Sequence, residues 1–307
     1  MSKVFVFREF GGPEAQALVD RAVPAPGPGE VRVAVRAAGV NPADVKRREG
    51  RFGRKIQLPA PMGLELAGVV EDVGEGVTGF GPGDAVLGQP ARGWGAFAEH
   101  TLARADRLAR KPALLSFAEA SVLPVAGAAA WDAVRQVPLR AGRTVLVNGA
   151  GGGVGVVATQ LCTTVPGLRV VGTASEGKRA LVEQLGAAFV PTGEGLLDRL
   201  REAAPAGLDA VIDLVGGAAL RLLAPMLNDP AAVVSTADPD TAVGLGGAGV
   251  ARRPTAEVLP ELLAAVERGV LRPRVGRVLP LERAAGAVAV VEAGHAAGKV
   301  VVRVAAR

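Results

Sequence analysis

Short apolar runs recur through the first third of the chain. Val4-Phe5-Val6-Phe7, Val31-Arg32-Val33-Ala34-Val35 and Ala67-Gly68-Val69-Val70 are rich in residues that suit a pleated backbone. Dense turn signals separate them, notably Pro24-Ala25-Pro26-Gly27-Pro28-Gly29 and Gly79-Phe80-Gly81-Pro82-Gly83-Asp84. Many short strands at close spacing predict a small β-barrel or sandwich-like module over residues 1–118.

The rhythm then changes. A helical segment is expected from Phe117, with Ser116 as its cap. Beyond it the pattern predicts a strand at 144–148, a glycine cluster and a helical apolar run at 154–162. A strand at 168–173, a helix at 178–185 and strands at 210–214 and 233–235 follow. Strands alternating with helical patterns indicate a parallel sheet with crossover helices, here over residues 119–270. Residues 271–307 return to short strands, ending Lys299-Val300-Val301-Val302-Arg303-Val304. They are expected to rejoin the first module, which makes the second domain an insertion.

Composition narrows the class. A chain of 307 residues can bury two substantial cores, and its 49% apolar content suits them. Gly and Pro break every apolar stretch below membrane-spanning length. The opening Met1-Ser2-Lys3-Val4-Phe5-Val6-Phe7-Arg8-Glu9 has too short an apolar run and too early a charge pair for a signal peptide. A cytoplasmic protein without a membrane partner is the expectation. The net charge of +5 is dispersed, and the densest basic group, Lys46-Arg47-Arg48, lies beside Glu49 as a solvated run would. That argues against a nucleic-acid partner. Cys162, the only cysteine, excludes an intramolecular disulfide, and its apolar helical setting reads as core. Tyrosine is absent.

The strongest local signal is Asn148-Gly149-Ala150-Gly151-Gly152-Gly153-Val154-Gly155. Ala150, Gly152 and Gly155 give the spacing A-x-G-x-x-G, a variant of the dinucleotide fingerprint, with Gly151, Gly153 and Val154 completing the turn. Small residues there permit a tight strand-to-helix turn and a close approach to a pyrophosphate, which the helix N-terminus attracts. Where an NAD-binding unit carries an acid about 20 residues on, this chain reads Thr173-Ala174-Ser175-Glu176-Gly177-Lys178-Arg179. Ser175, Lys178 and Arg179 suit a 2′-phosphate, which makes NADPH the expected cofactor. Glu176 is the complication, since a carboxylate there can reach a ribose.

These features together resemble the zinc-free quinone oxidoreductase branch, zeta-crystallin-like, of the medium-chain dehydrogenase/reductase superfamily. The resemblance runs through Gly39-Val40-Asn41-Pro42-Ala43-Asp44, Gly63-Leu64-Glu65-Leu66-Ala67-Gly68, Gly83-Asp84-Ala85-Val86 and Gly95-Ala96-Phe97-Ala98-Glu99. It continues through Leu123-Pro124-Val125-Ala126-Gly127 and the glycine turn to Gly294-His295-Ala296-Ala297-Gly298-Lys299-Val300-Val301. It implies an α/β protein, a GroES-like β-barrel catalytic domain (1–118 and 271–307) around a Rossmann doubly wound domain (119–270). It further implies a homodimer joined at the edge of the nucleotide-domain sheet, near the strand at 233–235 or a later one. Lys299 joins the cofactor-binding set on the same ground.

Catalytic zinc needs three protein ligands. Leu64 stands where zinc-dependent relatives place the histidine of their G-H-E motif, and Val40-Asn41 occupies the neighbourhood of the early cysteine ligand. No metal is expected, and His100 and His295 read as packed or surface residues. The resemblance places Asn41 beside nicotinamide and substrate as an amide donor; Asn before Pro42 is equally a turn residue. Lys46 stands where many relatives carry tyrosine. It is either a donor to a developing oxyanion or a solvated lysine. Glu65 is expected in a hydrogen bond or ion pair. The implied reaction is hydride transfer from NADPH to a quinone or α,β-unsaturated carbonyl. A pathway-specific enzyme acting on one enone, an enzyme without net redox chemistry, and a non-catalytic NADPH-binding protein stay open beside it.

Overall fold

The computed structural model describes residues 1–294 and 296–305. The expectation for His295 lies outside them. Eight strands come first: β1 (Ser2–Phe7), β2 (Gln16–Arg21), β3 (Glu30–Gly39), β4 (Ala60–Pro61), β5 (Glu65–Val73), β6 (Ala85–Gly88), β7 (His100–Arg104) and β8 (Leu108–Arg110). Six more follow the helical segments: β9 (Thr144–Asn148), β10 (Arg169–Ala174), β11 (Ala188–Pro191), β12 (Ala210–Asp213), β13 (Val233–Ser235) and β14 (Ala248–Gly249). The last are β15 (Val275–Pro280) and β16 (Lys299–Arg303). The helices that matter here are α1 (Pro42–Arg48), α2 (Phe117–Ala120), α3 (Ala128–Arg135), α4 (Gly153–Thr163) and α5 (Arg179–Gln184).

The chain forms two compact units. The first holds Met1–Val125, Thr255–Leu263 and Pro273–Arg307, and the second Ala126–Pro254 and Ala264–Arg272. The expected division is 1–118 with 271–307 against 119–270; in this grouping residues 119–125 and Thr255–Leu263 fall with the first unit. In the first unit β15-β16-β3-β5-β6-β8 form one sheet, with β7 also on β3, and β2-β1-β4 form a smaller one. The core between them is aliphatic with a few aromatic rings and one thioether, and includes Phe7, Leu66, Phe97 and Met62. β16 runs antiparallel to β3, with Val301 opposite Gly39, which returns the final strand to the opening module. The closing segment is not all strand: Ala284–Glu292 is helical, its alanines and valines packing into the same core.

The second unit is a wholly parallel sheet in the order β11-β10-β9-β12-β13-β14. Counted from its first strand this is 3-2-1-4-5-6, the doubly wound order, in which ligands bind beyond the carboxyl ends where the winding reverses. The reversal falls between β9 and β12. β13 is hydrogen-bonded on both sides, so on that side of the sheet the edge strand is the two-residue β14 rather than Val233–Ser235, with β11 at the opposite edge. Ser116 caps α2 through a reciprocal bond with Glu119, though α2 stops after one turn. Among the described residues no helix is long and apolar enough to cross a membrane.

Candidate functional site

β9 delivers the chain into the glycine turn, and α4 leaves it with Gly152 as its N-cap. A Cβ on Gly155 would strike the Gly149 carbonyl and come within 2.7 Å of the Ala150 Cα, so only glycine lets α4 start this close to the strand. The leading N–H groups of α4, those of Gly153, Val154 and Gly155, have no intrahelical acceptor, as at any helix start. They and the positive end of an 11-residue helix form a cradle suited to a pyrophosphate. Ala150 is buried beneath it and donates its N–H to the Thr173 carbonyl.

β10 ends at Ala174 without an acid. Ser175 is exposed beyond it, and Lys178 lays its stem over the turn: a Cβ on Gly151 would lie 2.7 Å from the Lys178 Cδ. Partial burial lowers the Lys178 pKa. Arg179 already has acidic partners. It grips Glu176 through Nε at 2.6 Å and Nη2 at 3.1 Å, reaches Glu183 at 3.5 Å, and stacks over the Phe189 ring at 4.4 Å. Two carboxylates thus already share its charge. Glu176, the competing candidate for a ribose, is held below the usual carboxylate range by that same arginine.

Sequence reasoning missed a buried polar rail across the carboxyl ends of these strands. Thr173 donates to Asn148 Oδ1 at 2.7 Å, Asn148 Nδ2 to Asp213 Oδ1 at 2.7 Å, and Ser235 Oγ to Asp213 Oδ2 at 2.5 Å. The signal was present: the apolar runs Val145-Leu146-Val147, Val211-Ile212 and Val233-Val234 each end in one polar residue, Asn148, Asp213 and Ser235.

The first unit holds the other cluster. Asn41, at the N-cap of α1, donates through Nδ2 to Glu65 Oε1 at 2.8 Å and to the Gly39 carbonyl at 3.4 Å. Its Oδ1 accepts from Lys299 Nζ at 2.7 Å. Lys299 donates also to Glu65 Oε1 at 2.7 Å and the Val40 carbonyl at 2.8 Å. An ammonium has three protons, and all three are spent. Lys299, expected in the cofactor-binding set, is held here as a buried strut against Asn41 and Glu65. Glu65, fully buried, completes its shell by accepting the Val125 N–H at 2.7 Å. The ion pair expected of Glu65 is therefore present, with β16 as its unforeseen partner. A Cβ on Gly39 would collide with the Glu65 carboxylate, so this strand position must stay bare.

Asp44 accepts the Asn41 N–H at 2.8 Å and the Gly63 N–H at 3.2 Å. Burial nevertheless raises its pKa to about 7, outweighing both hydrogen bonds and the nearby Lys299. Lys46 sits half-buried on the last turn of α1. The reading of Lys46-Arg47-Arg48 as a solvated run fails at Arg48, which is fully buried. It pairs with Glu292 at 2.7 and 3.2 Å and donates to the Gly11 carbonyl. Arg47 donates to the Pro61 carbonyl at 2.7 Å. A neighbour 244 residues away is invisible in a local charge pattern. Cys162 is fully buried, and burial pushes its thiol up to about 12, which leaves it inert core. His100 contacts Glu71 at 3.3 Å and Ser2 Oγ at 3.2 Å. Among the described residues no three His, Cys, Asp or Glu side chains form a metal-holding group.

Comparison with known proteins fits this geometry. The chain matches the alcohol dehydrogenase GroES-like domain over residues 27–113 and the zinc-binding dehydrogenase family over residues 185–302. Quinone oxidoreductase of Sus scrofa is 34% identical over 307 aligned residues, covering 94% of this chain and 92% of its own. A solved NAD-dependent alcohol dehydrogenase superposes with a TM-score of 0.88 at 33% identity, over 99% of this chain and 100% of that one. A mycobacterial protein solved with NADPH gives 0.87 at 28% identity, over 99% and 100% respectively. Identity at this level along nearly the full length, on the same barrel and doubly wound sheet, means that the chain belongs to the quinone oxidoreductase branch of the medium-chain dehydrogenase/reductase superfamily.

Proposed function

We propose that the chain is a cytoplasmic, metal-independent reductase that uses NADPH to reduce a quinone or an α,β-unsaturated carbonyl. The observation that carries the cofactor choice is the end of β10: no acid stands there, and Ser175 and Lys178 follow, with the lysine stem drawn over the glycine turn. A hydroxyl and an ammonium favour a 2′-phosphate dianion. The NADPH complex of the mycobacterial neighbour supports the reading, and the NAD-dependent neighbour makes it worth testing.

When bound, NADPH supplies the hydride. The α4 amides would hold its pyrophosphate and Lys178 and Ser175 its 2′-phosphate, and the Asn41 amide is the candidate donor to a substrate oxygen. Asn41 gives one N–H to Glu65 at 2.8 Å and turns the other to Gly39 over a longer 3.4 Å, so the second proton is the one available to a substrate oxygen. Lys46 is the second candidate donor. Metal independence rests on Leu64 in the ligand position and on the single, core cysteine. Homodimerisation rests on the exposed edge of β14.

A second reading, a non-catalytic NADPH-binding protein or an enzyme confined to one enone, draws on the same amide: both ends of Asn41 are already engaged within the fold. NADPH oxidation measured against a panel of quinones and enones, with and without a chelator, separates these readings. Turnover of several quinones, unchanged by chelation, is the expected result. Binding of NADPH with no turnover on any acceptor would favour the non-catalytic reading. Light scattering should give twice the chain mass.

A further inference from the structure

We infer that Asp213 is a positioning residue that shapes the cofactor crevice from its far wall, an inference that rests on the NADPH reading above. The crevice of a doubly wound sheet opens where the winding reverses, here between β9 and β12. One wall is the glycine turn after β9. The other is the segment Leu214-Val215-Gly216-Gly217 after β12, and Asp213 holds both.

Its Oδ1 accepts from Asn148 Nδ2 at 2.7 Å, from the Val215 N–H at 3.2 Å and from the Gly216 N–H at 3.1 Å. Its Oδ2 takes the Ser235 hydroxyl at 2.5 Å. Asp213 is fully buried, so a carboxylate there must be satisfied by donors, and four converge on it. Ser235 Oγ in turn accepts the Ala237 and Asp238 N–H groups at 3.2 and 2.9 Å, and Asp238 Oδ2 accepts the Gly217 N–H at 2.9 Å. The loops after β9, β12 and β13 are therefore fastened to one carboxylate.

The β12 loop needs such a fastening. Gly216 and Gly217 take φ of +76° and +57°, a conformation glycine enters freely and does not hold by itself. Val215 is 52% exposed, and a Cβ on Gly149 would lie 3.0 Å from its Cγ2. An exposed valine against the glycine turn offers an apolar wall to the planar part of a bound dinucleotide. Asp213 sets where that wall stands.

The test separates packing from positioning by exchanging the pair. Asn148→Asp alone sets two buried carboxylates face to face and loses the bond between β9 and β12. Asn148→Asp with Asp213→Asn restores the amide–carboxylate bond between β9 and β12 but presents an NH₂ group to the Val215 and Gly216 amides. The exchanged protein should recover most of the melting temperature lost by the single variant, while its Kd for NADPH, read by fluorescence titration, stays raised at least about tenfold, the cost of losing hydrogen bonds to a charged group. Parental NADPH affinity in a folded exchange variant would overturn the inference. If the exchange variant does not fold, Ser235→Ala decides: it frees the Ala237 and Asp238 amides, and an unchanged NADPH Kd would equally overturn it. A parent protein that does not bind NADPH would sink the cofactor reading instead.

Discussion

Lys299 Nζ donates to Asn41 Oδ1 across 2.7 Å, joining the final strand to the N-cap of α1 over a separation of 258 residues. The bond settles which way the amide faces: its oxygen meets the ammonium and its nitrogen meets Glu65. Lys299→Met removes the cation paired with the fully buried Glu65 carboxylate. A broken buried pair costs about 3–5 kcal/mol, whereas replacing both partners is far milder. Urea unfolding should show that loss for Lys299→Met and its partial recovery when Glu65→Gln is added.

Lys178→Ala should raise the Kd for NADPH by about 1–3 kcal/mol, roughly 5- to 150-fold, and leave that for NADH nearly unchanged. Arg179→Ala should have less effect on NADPH, because Glu176 and Glu183 already share its guanidinium. Equal NADPH and NADH affinities in the parent protein would reject the preference.

Asp44 gives a pH dependence with a definite sign. Its pKa is raised from 3.8 to about 7 by burial, so the folded protein holds a proton there that the unfolded chain releases above pH 4. That stabilisation is complete below the unfolded value and is lost as pH rises through about 7, by about 4 kcal/mol at full extent. Unfolding free energies at pH 5 and pH 8 should fall more steeply for the parent than for Asp44→Asn. Equal slopes would mean that Asp44 is ionised throughout.

Asn41→Ala should impair turnover with NADPH binding intact, since Asn41 lies in the first unit and the phosphate cradle in the second. Lys46→Ala should slow enone reduction more than quinone reduction, because an enolate is more basic than a hydroquinone anion and depends more on a donor. Loss of quinone turnover in Lys46→Ala, with normal NADPH binding, would make the lysine the essential acid.

What could be read along the chain was local. The glycine spacing, the strand before it and the helix after it lie within 20 residues, and short-range sterics dictate that turn wherever it occurs. Ser116 and Glu119 fix a helix start for the same reason. The expectation of metal independence draws on the single Cys162 and, through the family resemblance, on Leu64. Tertiary structure decided the polarity of the interior. Lys299 becomes a strut, Arg48 a buried ion and Asp213 the fastening of three loops only because Glu65, Glu292 and Ser235 arrive from elsewhere, whereas Arg179 is shared by Glu176 and Glu183 only three and four residues away. A charged side chain costs several kcal/mol to bury alone and little when its partners are in place. Its role is therefore set by neighbours that the fold supplies, and linear sequence carries no direct trace of them.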